Sequence, residues 1–444
     1  MIGLIKEYIP LAIYVVGLLC AVAAIMGRPN FALWLLAFLY PLRNIVEHLR
    51  GFPMGGDFLD ILTIAVIIGN LIQTGTSGTR EKGKTKSPIH GIALVLIFYS
   101  YLSLWVGYFY LGHFDPFNRA DPRLQDCKNF ILLPLLYFIT FNNIKDKKDI
   151  WRLFYVILMG MFVVNLYTSR QVVDFHGIES RQKITGTFVF LGPNETAAFL
   201  NQYTMILIAL FFQVKKKALR GILGFLIFTN LNSIIFLFSR GAYLATWIGL
   251  FFFSLIRKKV FLIPLIMIII GWHIFLPQDV QQRITMTVDE SGQLEASAQT
   301  RVLLWEQSWH LFQQNPIFGV GFHVFRELGL VAGDTHNIYF KLLAEQGILG
   351  LLIFLVLYVF FLKEGWKLYK QGDDDLAKGL GIGFVCCIIV MMANNLFGNR
   401  WTHASMSGYL WIFAAIVARL NALSTSSQNK KPMSRPKDKF AVKR

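Results

Sequence analysis

The sequence predicts an all-α protein that crosses a membrane about twelve times, or thirteen if residues 27–30 form a true loop. Three observations carry that prediction. Hydrophobic residues fill 55% of the 444 positions and charged residues only 16%, with a mean hydropathy of +0.51, a balance foreign to a soluble globule. Apolar runs long enough for a hydrocarbon core of roughly 30 Å recur along the whole chain. The positive charge falls in short clusters, each separated from the next by two such runs.

The runs centre on residues 9–26, 58–73, 89–111, 151–167, 196–213, 221–238, 241–256, 259–276, 347–362, 377–398 and 405–420. Two shorter ones, 31–41 and 129–141, are left open, and GRPN at 27–30 decides whether residues 9–41 make one broken element or two. The start of the chain is hydrophobic with little positive charge ahead of it, which predicts a retained first span.

A net charge of +17 would suggest nucleic acid as partner in a soluble chain. Here its distribution gives it another meaning. The clusters are Arg80, Lys82, Lys84 and Lys86; Lys145, Lys147 and Lys148; Lys215, Lys216, Lys217 and Arg220; Arg257, Lys258 and Lys259; Lys363, Lys367 and Lys370; and a tail from Lys430 to Arg444. That is the positive-inside pattern of a hairpin-built membrane protein, so membrane lipid is the implied partner and nucleic acid is not. Residues 421–444, polar and basic, are expected to form a disordered cytoplasmic tail. Four cysteines, Cys20, Cys127, Cys386 and Cys387, include only one in an outer loop, which gives no disulfide framework.

The outer loops are then 112–128, 168–195, 239–241, 277–337 and 399–404. Their basic residues are mainly arginine: Arg119, Arg123, Arg170, Arg181, Arg240, Arg283, Arg301, Arg326 and Arg400. A guanidinium grips phosphate oxygens with two parallel hydrogen bonds, so an arginine-rich outer face suits a phosphate-bearing ligand; chance in a small sample is the alternative. In FLFSRGAYLATW, Arg240 sits between two apolar runs with only Ser239 and Gly241 as turn. A charge there faces a cavity or snorkels to the surface.

The large loop contains SAQTRVLLWEQSWHLFQQNP, residues 297–316, with apolar residues near helical spacing. It predicts a short amphipathic helix lying on the membrane, its tryptophans at the interface and Arg301 in its first turn. IFGVGF at 317–322 reads as a glycine turn, with phosphate cradling as the sharper alternative. A helix starting near Thr335 would put His336, Phe340, Leu343, Gly347 and Gly350 on one face, and Asn337, Lys341 and Glu345 on the next. The glycines would let another helix approach closely. Asn394, Asn395 and Arg400 either line a cavity or pair helices. The acidic Asp373–Asp375 reads as a helix cap rather than a metal site, and Asn194–Glu195–Thr196 as a helix start after Pro193 rather than a glycosylation acceptor.

SRGAYLA at 239–245, R..LW at 301–305, P..GVG at 316–321 and HNIYFKLLAEQGILGLLIFL from His336 together resemble the O-antigen ligase and polymerase superfamily, as does GTFVFLGPNETAAFL at 186–200. The resemblance covers about 181–362 and implies integral-membrane transferases acting on polyprenyl-diphosphate-linked glycans. It implies Arg240, Arg301 and His336 as the catalytic trio, with Arg240, Arg301, Asn337, Arg181 and Asn194 binding substrate. The expected donor is an undecaprenyl-diphosphate-linked glycan, and the expected acceptor the lipid A-core sugar of lipopolysaccharide or another glycan. No metal or other cofactor is expected, and the expected location is the bacterial inner membrane with the site facing the periplasm. The residues suit that chemistry independently: His336 as base for the incoming hydroxyl, the arginines for the departing diphosphate. The implied organisation is an N-terminal membrane region at 1–180, a catalytic core at 181–362 containing the periplasmic loop 277–337, C-terminal helices at 363–420 and the tail. Two alternatives stay open: a polymerase of the same superfamily, and a lipid-linked glycan flippase, although alternating access favours a site at the membrane midplane.

Overall fold

The computed structural model describes residues 2–76, 87–112, 118, 121–175, 177–257, 259–286, 296–328 and 334–429. The basic residues at 80–86, Lys258, Arg119 and the tail from Lys430 onward lie outside them, so the expectations placed there are not addressed.

The described chain is helical, with no strand. It begins with α1 (Ile2–Ile25), α2 (Pro29–Leu39), α3 (Arg43–Leu49), α4 (Phe58–Thr76), α5 (Pro88–Leu111), α6 (Pro122–Asn143) and α7 (Lys147–Asp174). The middle of the chain forms α8 (Pro193–Phe211), α9 (Lys217–Phe236), α10 (Arg240–Arg257), α11 (Leu262–Ile270), α12 (Trp272–Phe275), α13 (Gln278–Thr285), α14 (Ala296–Gln314) and α15 (Val324–Glu327). It closes with α16 (Ile338–Gln371), α17 (Asp375–Asn394) and α18 (Ala404–Asn429).

Among the described residues 8 helices are long and apolar enough to cross a membrane, fewer than the twelve or thirteen crossings expected. The difference has physical causes. Helices α6, α8 and α10 have the length, 22, 19 and 18 residues, but carry polar residues that lower their hydropathy. In α8 these are Asn201, Gln202 and Thr204, fully buried against neighbouring helices rather than lipid; such residues are tolerated where protein, not hydrocarbon, surrounds them. The run at 259–276 breaks at Gly271 into α11 and α12, and α11 has only 9 residues.

The GRPN segment is a true loop. Helix α1 ends at Ile25 and Pro29 opens α2 from its first turn, where a missing N–H costs nothing. Gln73 near the end of α4 donates to the Gly27 carbonyl, whereas Thr187, in the segment before α8, donates to the Pro41 carbonyl at 2.7 Å. The 11 residues of α2 therefore run between the two ends of the bundle.

Ion pairs identify the basic end. Lys147 lies 2.7 Å from Asp374 and 3.5 Å from Asp373, and Lys215 lies 3.1 Å from Asp375. Asp374 also caps α17 by accepting from Ala377 N–H at 2.9 Å. The acidic triplet is thus used by capping and by lysines from two other connections. The centre of the bundle is α8, α17 and α18, whose apolar windows in α17 and α18 are 83% and 89% buried, against 17% for α1 at the periphery. Helix α18 continues to Asn429, past the expected end of the last span at 420.

Helix α16 is broken at Gly347, where φ is +63° and ψ −167°. The break releases backbone groups that the connection 316–322 takes up: Val320 N–H donates to Ala344 O at 2.9 Å, Gly321 N–H to Glu345 O at 2.8 Å, and Ile348 N–H to Pro316 O at 2.9 Å. A Cβ at Gly347 would lie 2.2 Å from the Ile317 carbonyl, and one at Gly321 would lie 2.1 Å from the Gly107 backbone of α5. The GVG segment is therefore a close backbone splice between α5 and α16, not a phosphate cradle. Gly347 admits this connection rather than another helix, while Tyr99 of α5 approaches Gly350 and donates to Gln346 O at 2.6 Å.

The charge distribution gives a direct test. In a chain whose own cysteines are replaced by alanine, a cysteine at Lys216 should resist an impermeant thiol reagent in intact cells, while one at the exposed Gln314 should label. Labelling at 216 from outside would reverse the orientation of the bundle.

Candidate active site

At the end opposite the basic clusters a cavity of about 510 Å³ opens between α8, α10, α13, α14, α17 and the turn before α16. Its described lining includes five arginines, Arg181, Arg240, Arg283, Arg301 and Arg400, together with His336, Asn194 and Asn394. No aspartate or glutamate is among the described lining residues.

Each of these side chains is delivered by a local backbone feature. Arg240 is the first residue of α10, reached through a turn in which buried Phe238 adopts φ +50°. Arg301 lies in the second turn of α14, which starts at Ala296, earlier than the sequence suggested. That helix does not lie free on a membrane surface. Leu304 and Ser308 are fully buried, Trp305 stacks on Phe340 of α16 with ring centroids 5.6 Å apart, and its indole N–H donates to Thr335 O at 3.1 Å. Packing against α16 wins over the interface for Trp305, while Trp309 stays 45% exposed.

His336 precedes the helix rather than belonging to it. Asn337 is the N-cap of α16, its Oδ1 accepting from Tyr339 N–H at 2.9 Å and Phe340 N–H at 3.3 Å. His336 has φ +49°, which turns it out of the helical register and into the cavity, so the shared face with Phe340 and Leu343 does not form. Asn337 also donates to Leu396 O at 3.2 Å. It is not among the cavity-lining residues; its amide holds the helix start and the α17–α18 connection.

Arg181 is buried and donates from Nη2 to Asn194 Oδ1 at 3.0 Å, so Asn194 orients it at the start of α8. Glu195, the next residue, accepts from Gly192 N–H at 3.0 Å and pairs with Arg400. Asn394 both lines the cavity and ties α17 to α8, donating to Asn201 Oδ1 at 2.9 Å. Asn395 pairs helices only, bonding the Tyr358 hydroxyl at 2.9 Å and accepting from Arg400 N–H at 2.9 Å.

Five of the six sequence-derived site residues meet at this cavity: Arg181, Asn194, Arg240, Arg301 and His336. The sequence reading placed Glu195 in a helix start and gave Arg283 no individual role, and it left Arg400 open. The only sequence signal for the two arginines was the arginine content of the outer loops, which also marked Arg123, Arg170 and Arg326. Those three go to carboxylates elsewhere, at Asp121, Asp174 and Asp126. Lys341 and Glu345 likewise turn away from the cavity. Lys341 Nζ lies 3.8 Å from Asp334, and the Glu345 carboxylate accepts from the backbone of His323 and Phe325, fastening the loop to α16.

Burial holds the His336 imidazole below its ordinary value, the positive charges of Arg301 and Arg400 push the same way, and Asp334 and Glu195 oppose them. The uncharged ring is therefore more favoured over the imidazolium than in a histidine in water. Nuclear magnetic resonance titration of His336 should give a midpoint below the usual histidine value of about 6.5. Removing the opposing carboxylate in Asp334→Asn should lower that midpoint further, and an upward shift would contradict the electrostatics described.

Comparison with known proteins follows this geometry. The chain is 24% identical over 338 residues to the teichuronic acid biosynthesis protein TuaE of Bacillus subtilis (strain 168), spanning 69% of this chain and 67% of that protein. Residues 225–355 match the O-antigen ligase family, and this segment bears Arg240, Arg283, Arg301 and His336, while Arg181, Asn194 and Arg400 lie outside it. This multi-pass helical protein, with these residues gathered on one cavity, is thus similar over residues 225–355 to the O-antigen ligase family.

Proposed function

We propose that this protein moves a preassembled glycan from an undecaprenyl-diphosphate carrier to an acceptor hydroxyl on the periplasmic side of the bacterial inner membrane, with residues 181–362 as the catalytic core. The observation that carries this reading is that His336 lines the same cavity as Arg240 and Arg301, where burial holds its imidazole below its ordinary value. The acceptor oxygen attacks the anomeric carbon and gives its proton to the His336 imidazole. As the new C–O bond forms, the bond from the anomeric carbon to the diphosphate breaks, and the electron pair leaves on the diphosphate. Arg240 and Arg301 neutralise that developing charge, and His336 later releases its proton to water. Backside attack inverts the anomeric centre.

The lipid A-core sugar of lipopolysaccharide is the acceptor in this reading. A second reading, a polymerase whose acceptor is another carrier-linked repeat unit, draws support from the relative named for teichuronic acid biosynthesis. A flippase is less well supported, since the polar cavity lies at one end of the bundle, whereas alternating access uses a site near the midplane.

Lysine at position 240 or 301 keeps the charge and loses the two-pronged grip. Transfer measured in membranes should fall at least about tenfold in each variant with insertion unchanged, and full activity in both would refute bidentate diphosphate binding.

His336→Ala removes the base, a loss of about 10²–10⁴-fold in rate. In cells, a ligase then accumulates long glycan still attached to its carrier. A polymerase leaves single repeat units on carrier and final acceptor, with no long chains. A flippase strands carrier-linked glycan in the inner leaflet, and a normal glycan distribution in a well-expressed variant would remove His336 from the mechanism.

A further inference from the structure

At the basic end of the bundle, away from the arginine-lined cavity, a groove of about 600 Å³ lies between α16 and α17. Leu362 and buried Val385 give it an apolar base, and exposed Lys363, Lys367 and Lys370 stand along it. Two glycines let the helices approach closely beside it. A Cβ at Gly365 would lie 2.9 Å from Val385 Cγ2, and one at Gly381 would lie 2.4 Å from the backbone nitrogen of Tyr369. Lys363 is the first charged residue after Glu345, so the groove lies where the apolar run of α16 gives way to charge, at the depth of lipid headgroups.

The lysines follow one another at intervals of four and three residues, a ladder about 10 Å long on one face of α16. The same spacing continues back along the helix into exposed Val359, Val356 and Leu352, so the ladder stands at the end of an apolar stripe that faces lipid. Trp366 lies within the ladder, 40% exposed. The Lys370 ammonium sits 5.1 Å from the centroid of the Trp366 ring and 5.7 Å from that of Tyr369, which holds the charge in place. Among the described residues no ion pair joins any of the three lysines to a carboxylate. The nearby carboxylates are committed elsewhere: Asp373 and Asp374 to Lys147, Asp375 to Lys215, and buried Glu364 to the Asn421 amide at 2.9 Å on the α18 side.

A helix C-terminus favours cations, and the positive-inside rule places lysine at this end. Neither requires a groove, an ammonium fixed over an indole, or an apolar stripe in register with the charges. We infer that the groove binds an anionic glycerophospholipid from the leaflet at the basic end of the bundle. Lys367 and Lys370 hold its phosphate, Trp366 supports the glycerol backbone at the interface, and an acyl chain runs over Leu362 and Val385 along the stripe. A lipid fits better than a free anion because the charges adjoin apolar surface that only a molecule with a hydrocarbon tail can cover. The inference stands apart from the reading of the arginine-lined cavity and does not depend on it.

The test uses the purified full-length protein in nonionic detergent and native mass spectrometry, which counts bound lipids, with phosphatidylglycerol, cardiolipin, phosphatidylethanolamine and inorganic phosphate as probes. Phosphatidylglycerol or cardiolipin should bind at least about tenfold tighter than zwitterionic phosphatidylethanolamine, and the tighter of the two tells whether one or two phosphates lie along the ladder. Lys367→Gln combined with Lys370→Gln should remove one lipid from the tightly bound count, a loss of at least about tenfold in its affinity. Lys367→Arg combined with Lys370→Arg should keep it, and Trp366→Leu, which retains apolar bulk, should weaken it by less. Lys216→Gln combined with Lys217→Gln takes the same charge from exposed positions at this end outside the groove and should leave the count unchanged. Equal losses in the two glutamine pairs would reduce the effect to diffuse attraction and overturn the site. Equal binding of phosphatidylethanolamine would overturn it as well. Displacement of the lipid by excess inorganic phosphate would assign the groove to a free anion and refute the lipid.

Discussion

The hydrogen bonds between the connection 316–322 and the broken helix α16 are the interaction on which the site depends. Backbone groups at membrane depth must be satisfied within the protein, because hydrocarbon offers no partner. Breaking α16 at Gly347 would leave such groups exposed, and the connection takes them up while its own glycine lies against α5. One splice therefore joins α5, α16 and the large loop. Through it, and through the stacking of Trp305 on Phe340, Arg301 on the loop is brought against His336 on the bundle.

The buried charges around the cavity divide between those that hold the structure and those that line the cavity. Lys341 and Glu345 are the first kind. Glu345 accepts from the backbone that enters α15, and Lys341 faces Asp334 in the turn that carries His336. Removing one member of a buried pair leaves an uncompensated charge, typically at a cost of about 3–5 kcal/mol. A membrane helix opening with Asp334, His336 and Asn337 thus combines one residue for the cavity with neighbours that keep the turn in place.

Glu195 links the two kinds. Its carboxylate accepts from the N-terminus of α8 and pairs with Arg400 from the far side of α17, so the start of one helix and the connection after another share a single charge pair. Arg181 and Asn194 repeat this arrangement one residue earlier. Guanidinium groups fastened at one nitrogen present the others in a fixed direction, which lowers the ordering cost of gripping an anion. At His336 burial acts first, and the positive fields of Arg301 and Arg400 add to it in holding the imidazole below its ordinary value.

By itself the sequence determined the membrane class and the helical class, and it made Arg240 stand out against an apolar background, while Arg301 and His336 were singled out with it by resemblance to a family pattern. Hydrophobic run length and charge position are local properties, and a guanidinium between two apolar runs is conspicuous without any partner in view. The sequence also held both readings of residues 27–30, and only contacts with Gln73 at one end and Thr187 at the other decided for a loop. What tertiary structure alone decided were the relations between distant segments. Arg123, Arg170 and Arg326 look like Arg283 and Arg400 in composition, yet carboxylates elsewhere claim the first three while packing carries the last two to the cavity. Helical periodicity put His336 in register with Phe340, but a turn with φ +49° took it out. The physical reason is common to these cases: where a polar side chain points is set by which buried partners close around it, and those partners lie tens to hundreds of residues away along the chain.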